Sequence, residues 1–344
     1  MHELQRALGL ELAVVQAPMA GVQDHVLALA VSDAGGLGSL PCAMLDAVAL
    51  RHGLTVLGSR PDRPFNLNYF CHSPPSPDAS REAGWRAALA PYYREFGLDI
   101  DAIPARPGRF PFDAAAAALI EEFRPPVVSF HFGLPEARLL ARVRAAGARI
   151  FASATTVDEA RWLDAQGVDA VIAQGLEAGG HRGHFLSDDL SRQAGTFALL
   201  PQVVSAVRAP VIAAGGIADA AGVAAALSLG AALVQLGTAY MLCPEATTST
   251  VHRAALASGA SRHTALTRLF TGRPARGIVN RLMRDLNAAD PAPAFPLATN
   301  AIAPLRNAAE ARGSGDFSPL WSGQNTSGCR AVPAAEMTRG LVDA

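Results

Sequence analysis

Apolar residues recur in short runs separated by stretches of helical spacing, and this alternation continues along most of the chain. Near-continuous apolar runs at 14–19, 37–40, 65–70, 127–132, 150–154, 170–174, 211–214 and 233–237 read as strands. Between them, 26–33, 45–57, 136–145, 157–166, 197–207 and 220–229 place apolar residues three or four apart, the period of an amphipathic helix. Strands that are apolar on both faces, each followed by a helix, indicate a parallel sheet covered on both sides. Eight such units suit an α/β fold closed into a (β/α)8 TIM barrel better than an open doubly wound sheet. The first strand-to-helix turn, Ala17-Pro18-Met19-Ala20-Gly21, also lacks the GxGxxG spacing of a dinucleotide-binding open sheet.

Two stretches break the alternation. Residues 72–112 contain Pro-Pro, further prolines and the aromatic residues Trp85, Tyr92, Tyr93 and Phe96, and are expected as an insertion after strand three forming a lid or rim. Residues 284–344 are rich in Pro, Ala, Asn and Gly, and are expected to form helices that cap the barrel. The organisation expected is a barrel domain over 1–260 and a helical C-terminal extension over 261–344 packed on it.

Composition narrows the partners. A hydrophobic fraction of 50% supports a large core, while the longest apolar runs fall well short of a membrane span. No basic stretch followed by an apolar core opens the sequence, so the cytoplasm is the expected location. Net charge is −1 with no basic stripe, which argues against a nucleic-acid partner. All 29 basic residues are arginine, so no lysine is present to form a Schiff base. Cys42, Cys71, Cys243 and Cys329 are widely spaced, form no CxxC pair and are expected as free thiols with no metal site.

The chemistry gathers at the ends of the strands. In this fold, a phosphate commonly sits between the loops after strands seven and eight. Here those loops begin Ala213-Ala214-Gly215-Gly216-Ile217 and Gln235-Leu236-Gly237-Thr238-Ala239. Glycine lets the backbone approach an anion closely, and the helix that follows is expected to offer N–H groups and its positive dipole end. After strand six comes Gln174-Gly-Leu-Glu-Ala-Gly-Gly-His-Arg-Gly183, with His181 at its centre. An imidazole titrates near neutrality and suits proton transfer. His184 makes an HxxH pair with His181, but no third ligand is evident, so no metal is expected.

Together, Gln16-Ala-Pro-Met-Ala-Gly21, Gly35-Gly-Leu-Gly38, Asn66-Leu-Asn68, His131-Phe-Gly133, the Gln174–Gly183 string, Ala214-Gly-Gly-Ile217 and Gln235-Leu-Gly-Thr238 resemble the nitronate monooxygenase family. The match runs from about Gln16 to Met241, with a further familiar Ser322-Gly-Gln324. The resemblance implies FMN as cofactor, contacted by Asn68, Gln174, Gly179, Gly180, Gly215, Gly216, Gln235, Leu236, Gly237 and Thr238. Ala17 and Pro18 would supply backbone contacts to the flavin ring and Met19 would lie against it. His181 would be the catalytic histidine beside the flavin, and His131 would bind substrate or His181. It further implies oxidation of an alkyl nitronate, with O2 completing its conversion to a carbonyl compound and nitrite. The partners expected are therefore a small nitronate and O2, with no nucleic acid or membrane, acting on a monomer or homodimer.

Weaker candidates have plain alternatives. Glu177 can act as a base or accept loop N–H groups; Ser153 and Thr155 can line the pocket or cap the next helix. Cys71 and His72 can form a nucleophile pair, although neighbours on a strand point apart. Arg273 and Arg276 can reach an anionic substrate, a subunit contact or solvent. Two competing functions remain open: an NAD(P)H-dependent enoyl-thioester or quinone reductase on the same scaffold, and a non-catalytic FMN-binding barrel.

Overall fold

A computed structural model describes residues 1–76, 78–103 and 109–342. Eight parallel strands follow in the order β1 (Val14–Gln16), β2 (Gly38–Pro41), β3 (Phe65–Phe70), β4 (Val127–His131), β5 (Arg149–Ala154), β6 (Ala170–Gln174), β8 (Val211–Ala214) and β9 (Leu233–Leu236). Each pairs with its neighbour, β9 returns to β1, and bonds from Gln16 N to Leu37 O and from Leu37 N to Val14 O, both 2.9 Å, close the ring. The result is the (β/α)8 barrel that the apolar pattern indicates. Observed strands are shorter at their C-terminal ends where the chain turns to build the cavity: β1 stops before Ala17, and β4 before Phe132, whose φ is 72°.

Strand alternation sorts side chains between two cores. Val15, Val127, Phe151, Ala170, Ile172, Ile212 and Leu233 point inward and fill the lower barrel. Leu4, Leu8 and Leu10, around the helix Glu3–Ala7, stopper that end. The other face of the strands, including Leu67, Val128, Ile150, Val171 and Val234, packs against Leu27, Leu54, Ile120, Val143, Leu163 and Val203 of the surrounding helices. Aspartates at 24, 46, 113 and 219 and Thr156 cap helix N-termini by accepting backbone N–H bonds.

The insertion and the C-terminal region make a core of their own. Trp85, Leu89, Tyr92 and Tyr93 on the helix Ala79–Phe96 pack with Leu269, Phe270, Leu282, Ile302, Leu305 and Phe317. Trp85 Nε1 donates to Ala298 O at 3.2 Å and Tyr93 Oη to Ala301 O at 2.6 Å, tying this helix to Ala298–Glu310. The aromatic cluster noted in the sequence is thus a buried contact between two distant stretches of chain. Residues 77 and 104–108 of the insertion lie outside the described residues.

One element departs from a wholly helical C-terminal extension. β10 (Thr264–Thr267) and β11 (Ala275–Ile278) form an antiparallel hairpin, and the two residues of β7 (Gly180–His181) pair with β11, Ala275 opposite His181. Threonine and isoleucine favour strand here, and the Gly272-Arg-Pro turn breaks the run between them. No helix among the described residues is long and apolar enough to cross a membrane.

Candidate active site

The same alternation that packs the barrel floor delivers polar side chains to its mouth. Inward positions run Val127, Ser129, His131 on β4; Phe151, Ser153 on β5; Ala170, Ile172, Gln174 on β6; and Leu233, Gln235 on β9. The upper members, with Asn68 and Phe70 of β3 and Ala214 of β8, line a cavity of about 1260 Å³ open to solvent. Ala17, Pro18, Met19, Gly179, Gly180, His181, Gly215, Gly216, Leu236, Gly237 and Thr238 line it too. The cofactor, catalytic and substrate candidates named through the family resemblance therefore all face one space, and of the weaker candidates Ser153 alone joins them among the described residues.

At one end, the wall is backbone. Gly215 and Gly216 take φ of 118° and 73°, a region where a side chain is strained. The N–H groups of Gly216, Ile217, Gly237 and Thr238 donate to no protein acceptor among the described residues. A group of convergent, unpaired N–H donors can hold an oxyanion. The following helix, Ala220–Ser228, does not line the cavity. The Asp219 carboxylate accepts from Gly222 N at 2.8 Å and caps the N-terminus of that helix. The C-terminal chain completes this wall instead: Gly323 N donates to Thr238 Oγ1 at 2.9 Å, and Asn325 Nδ2 to Gly216 O at 2.9 Å. Gly179 is glycine because that chain lies on it; a Cβ would sit 2.5 Å from Gly323 N.

Between the ends, Gln235 Oε1 is buried with no hydrogen-bond partner. Ala17 and Met19 stand opposite Gly237, where an added Cβ would meet Ala17 Cβ and Met19 Sδ at 3.4 Å. Asn68 Nδ2 donates to Ser129 Oγ at 2.9 Å, and Gln174 Nε2 to the His181 carbonyl at 3.0 Å.

At the other end, the wall is side chain. The His181 ring lies among Phe70, Phe132, Phe295 and Trp321, with centroids 6.2, 6.0, 5.4 and 5.6 Å away. Thr271 Oγ1 directs its proton to the Arg273 carbonyl at 3.4 Å and accepts from His181 Nε2–H at 2.9 Å. On this assignment Nδ1 is the basic nitrogen. Burial, then Arg109, His131, Arg273 and His72, hold the imidazole pKa well below 6.5, so the ring is neutral. His131 Nε2 donates to the His181 backbone carbonyl at 3.2 Å, while its Nδ1 accepts from Ser153 Oγ at 2.9 Å. Its pKa is pushed down to about 3, chiefly by burial. His131 therefore meets the backbone of His181 and not its ring.

The sixth loop is clamped from below. Arg182 is fully buried and donates to Gln174 O, Gly175 O and Gln193 Oε1, each at 2.8 Å. Glu177 accepts from Thr196 N at 2.8 Å and from Thr196 Oγ1 at 3.0 Å, which commits it to the loop and leaves no base role. Thr155 donates to Glu159, whose other oxygen takes Phe185 N at 2.6 Å. Thr155 thus braces the loop, whereas Ser153 lines the cavity. Arg276 Nε donates to Leu176 O at 2.8 Å, and Arg273 lies 4.1 Å over the Phe132 ring and donates to His184 O. Both support the loop from inside the protein. Cys71 and His72 do not pair: His72 packs on Phe295 at 4.7 Å, and burial raises the Cys71 thiol well above its usual range.

A family model for nitronate monooxygenase matches residues 2–343. The chain belongs to the nitronate monooxygenase family. It is 43% identical to a nitronate monooxygenase of Paraburkholderia phytofirmans, over 97% of this chain and 92% of that one. It is 42% identical to one of Pseudomonas aeruginosa, over 98% and 97%. Among solved structures, nitroalkane oxidase from Streptomyces ansochromogenes superposes with TM-score 0.89 at 38% identity, covering 98% of this chain and 96% of that chain. FabK from Thermotoga maritima follows the same fold at TM-score 0.74 and 25% identity, over 99% and 95%.

In this nitronate monooxygenase family member, several cavity residues carry no motif signal. Phe70 was reachable, since it shares the inward parity of Asn66 and Asn68. Arg109, Trp321 and Asn325 come from the insertion and the C-terminal chain, as does Phe295 against the His181 ring, and only tertiary packing brings them there.

Proposed function

We propose that the cavity holds FMN and that the protein oxidises alkyl nitronates with O2 to carbonyl compounds and nitrite. The observation that carries this reading is a single cavity with unpaired N–H donors at one end and a neutral, aromatic-walled histidine at the other. The residues present fit the cofactor. Gly216, Ile217, Gly237 and Thr238 offer N–H groups to a phosphate, the orphaned Gln235 Oε1 can accept a ring N–H, and Met19 provides an apolar surface. Bound FMN supplies the electron acceptance that no side chain of this protein can.

The protein's own part is placement and proton transfer. Phe70, Phe295 and Trp321 exclude water around His181. Gln174 and His131 both donate to its carbonyl and fix its position. The neutral Nδ1 takes the proton from the carbon beside the nitro group of a neutral nitroalkane, and the electron pair left behind spreads onto the nitro oxygens. A substrate supplied as the nitronate needs no such step.

An aerobic assay of the FMN-loaded protein with propionate 3-nitronate, run beside one with NADH and quinone, tests the reading. Nitrite release with the first and little reaction with the second is expected. Rapid anaerobic bleaching of the flavin by NADH without nitronate turnover would replace this reading with a reductase.

A further inference from the structure

The charge lining the cavity is one-sided. Arg109 faces it, and no aspartate or glutamate does among the described residues. Arg109 lies near the end of the insertion, outside every motif that marks the site. Its Nη1 donates to Thr299 Oγ1 at 3.1 Å, and the guanidinium lies 5.8 Å over the centroid of Phe295. The ring of Phe295 in turn packs edge-on against His181, with centroids 5.4 Å apart. Guanidinium and imidazole are thus brought to the same aromatic ring. No carboxylate pairs with Arg109 among the described residues.

A partly buried cation without a counter-ion is unfavourable for folding. Burial and the neighbouring Arg306 lower its pKa to about 10, so it stays charged near neutrality. Of the other nearby cations, Arg273 is engaged with Phe132 and the His184 carbonyl, Arg306 lies 3.8 Å from the Glu310 carboxylate, and neither lines the cavity. Among the described residues the cavity therefore holds one unspent positive charge, on a planar fork suited to two oxygens of one group.

Resting on the reading of this cavity as a nitronate site, we propose that Arg109 is its anion-binding residue, receiving the nitro oxygens while His181 serves only as the base. With a neutral nitroalkane, a C–H bond breaks, an N–H bond forms on His181, and the negative charge moves onto the oxygens beside Arg109. With a preformed nitronate, Arg109 alone recognises the charge. The guanidinium also helps to keep the base unprotonated. The groups facing the imidazole are Arg109, His131, Arg273 and His72, so removing Arg109 takes away one of the two cationic arginines among them.

Nitrate, a planar oxyanion with the shape of the nitronate head, serves as a probe that needs no turnover. Calorimetric titration of the FMN-loaded protein should show nitrate binding, weakened about 10-fold or more in Arg109→Met, as expected for loss of a charge-assisted hydrogen bond. Arg109→Lys should keep part of that affinity. The KM for ethylnitronate should rise about 10-fold in Arg109→Met with kcat within about threefold, the pattern of lost ground-state binding. The apparent pKa of the base, read from nitroethane turnover, should move up towards the ordinary histidine value. Nitrate affinity and ethylnitronate KM unchanged in a folded Arg109→Met protein would overturn the assignment. Where thermal melting shows that variant damaged, Arg109→Lys decides: nitrate binding retained supports the proposal, and binding lost in a well-folded lysine protein overturns it. Arg109-dependent nitrate binding in a protein that oxidises no nitronate would leave the anion site standing and refute the proposed function alone.

Discussion

The two ends of the cavity are built by different means. The end at β8 and β9 is made of glycine backbone and free N–H groups, all within a few residues of strands whose ends the barrel already fixes. The end around His181 is assembled from side chains on β3, β4 and β7, the insertion, the hairpin and the C-terminal chain, including Phe70, Arg109, Thr271, Phe295 and Trp321. A backbone site tolerates many neighbours because its chemistry is the same for every residue. A side-chain site depends on packing between segments far apart in sequence. The first recurs across barrels that bind phosphates, whereas the second sets which reaction follows.

Changes confined to one end should therefore leave the other intact. The largest effect is expected from His181→Asn, which should lower turnover of neutral nitroalkanes by about 10²- to 10⁴-fold, the range for loss of a general base. Preformed nitronates should lose far less, and FMN content should match the parent protein. Equal losses on both substrates would reject the proton-transfer role. Next, Trp85→Ala removes a buried aromatic from the core that carries the histidine end, and should lower stability by about 3–5 kcal/mol in urea unfolding. FMN affinity should hold within about twofold in the native variant, since no phosphate-end donor touches that core. A matching loss of FMN would show the two ends to be one unit.

Acid provides a third test. His72, His131, His184 and His252 are pushed from 6.5 to about 4, 3, 4 and 4, and His181 also lies well below 6.5, mainly through burial. These rings are neutral in the native protein but take up protons in the unfolded chain below its ordinary histidine pKa. Their contribution to stability is thus complete above 6.5 and lost as pH falls towards the folded values. Each can add up to ~1.4 kcal/mol per pH unit to the slope. Urea midpoints should drop steeply between pH 6.5 and about 4.5, and His131→Gln should flatten that slope. A parallel slope in the variant would exclude His131 as a contributor. The smallest effect is expected from Thr238→Val, which removes one hydroxyl and should weaken FMN binding by about fivefold, near 1 kcal/mol, with kcat unchanged at saturating FMN. Fluorescence titration of the apoprotein with FMN checks this.

The same contrast governs what could be read from the sequence. The barrel was legible because β-strands buried on both faces leave uninterrupted apolar runs. Parity then carries Val127 to His131 and Ile172 to Gln174 without any knowledge of contacts. The glycines after β8 were legible because positive φ restricts the residue type. The second core was not, since Trp85 and Ile302 are joined only by packing across more than half of the chain. Nor was the hairpin that pairs with His181: a two-residue strand leaves no periodicity to find. At the helix Ala220–Ser228 the sequence offers Asp219 as a good N-cap, and its carboxylate takes the Gly222 N–H.

One consequence follows from β7. A loop with four glycines in ten residues would ordinarily sample many conformations and lose them only when substrate arrives. Here the ladder between His181 and Ala275, with Arg182 anchored below, removes that freedom during folding. On the proposed function, substrate would encounter a preorganised imidazole, so little of its binding free energy would be diverted to ordering the chain. Glycine in this loop serves close approach, of Gly179 to Gly323 and of Gly183 to the His131 ring.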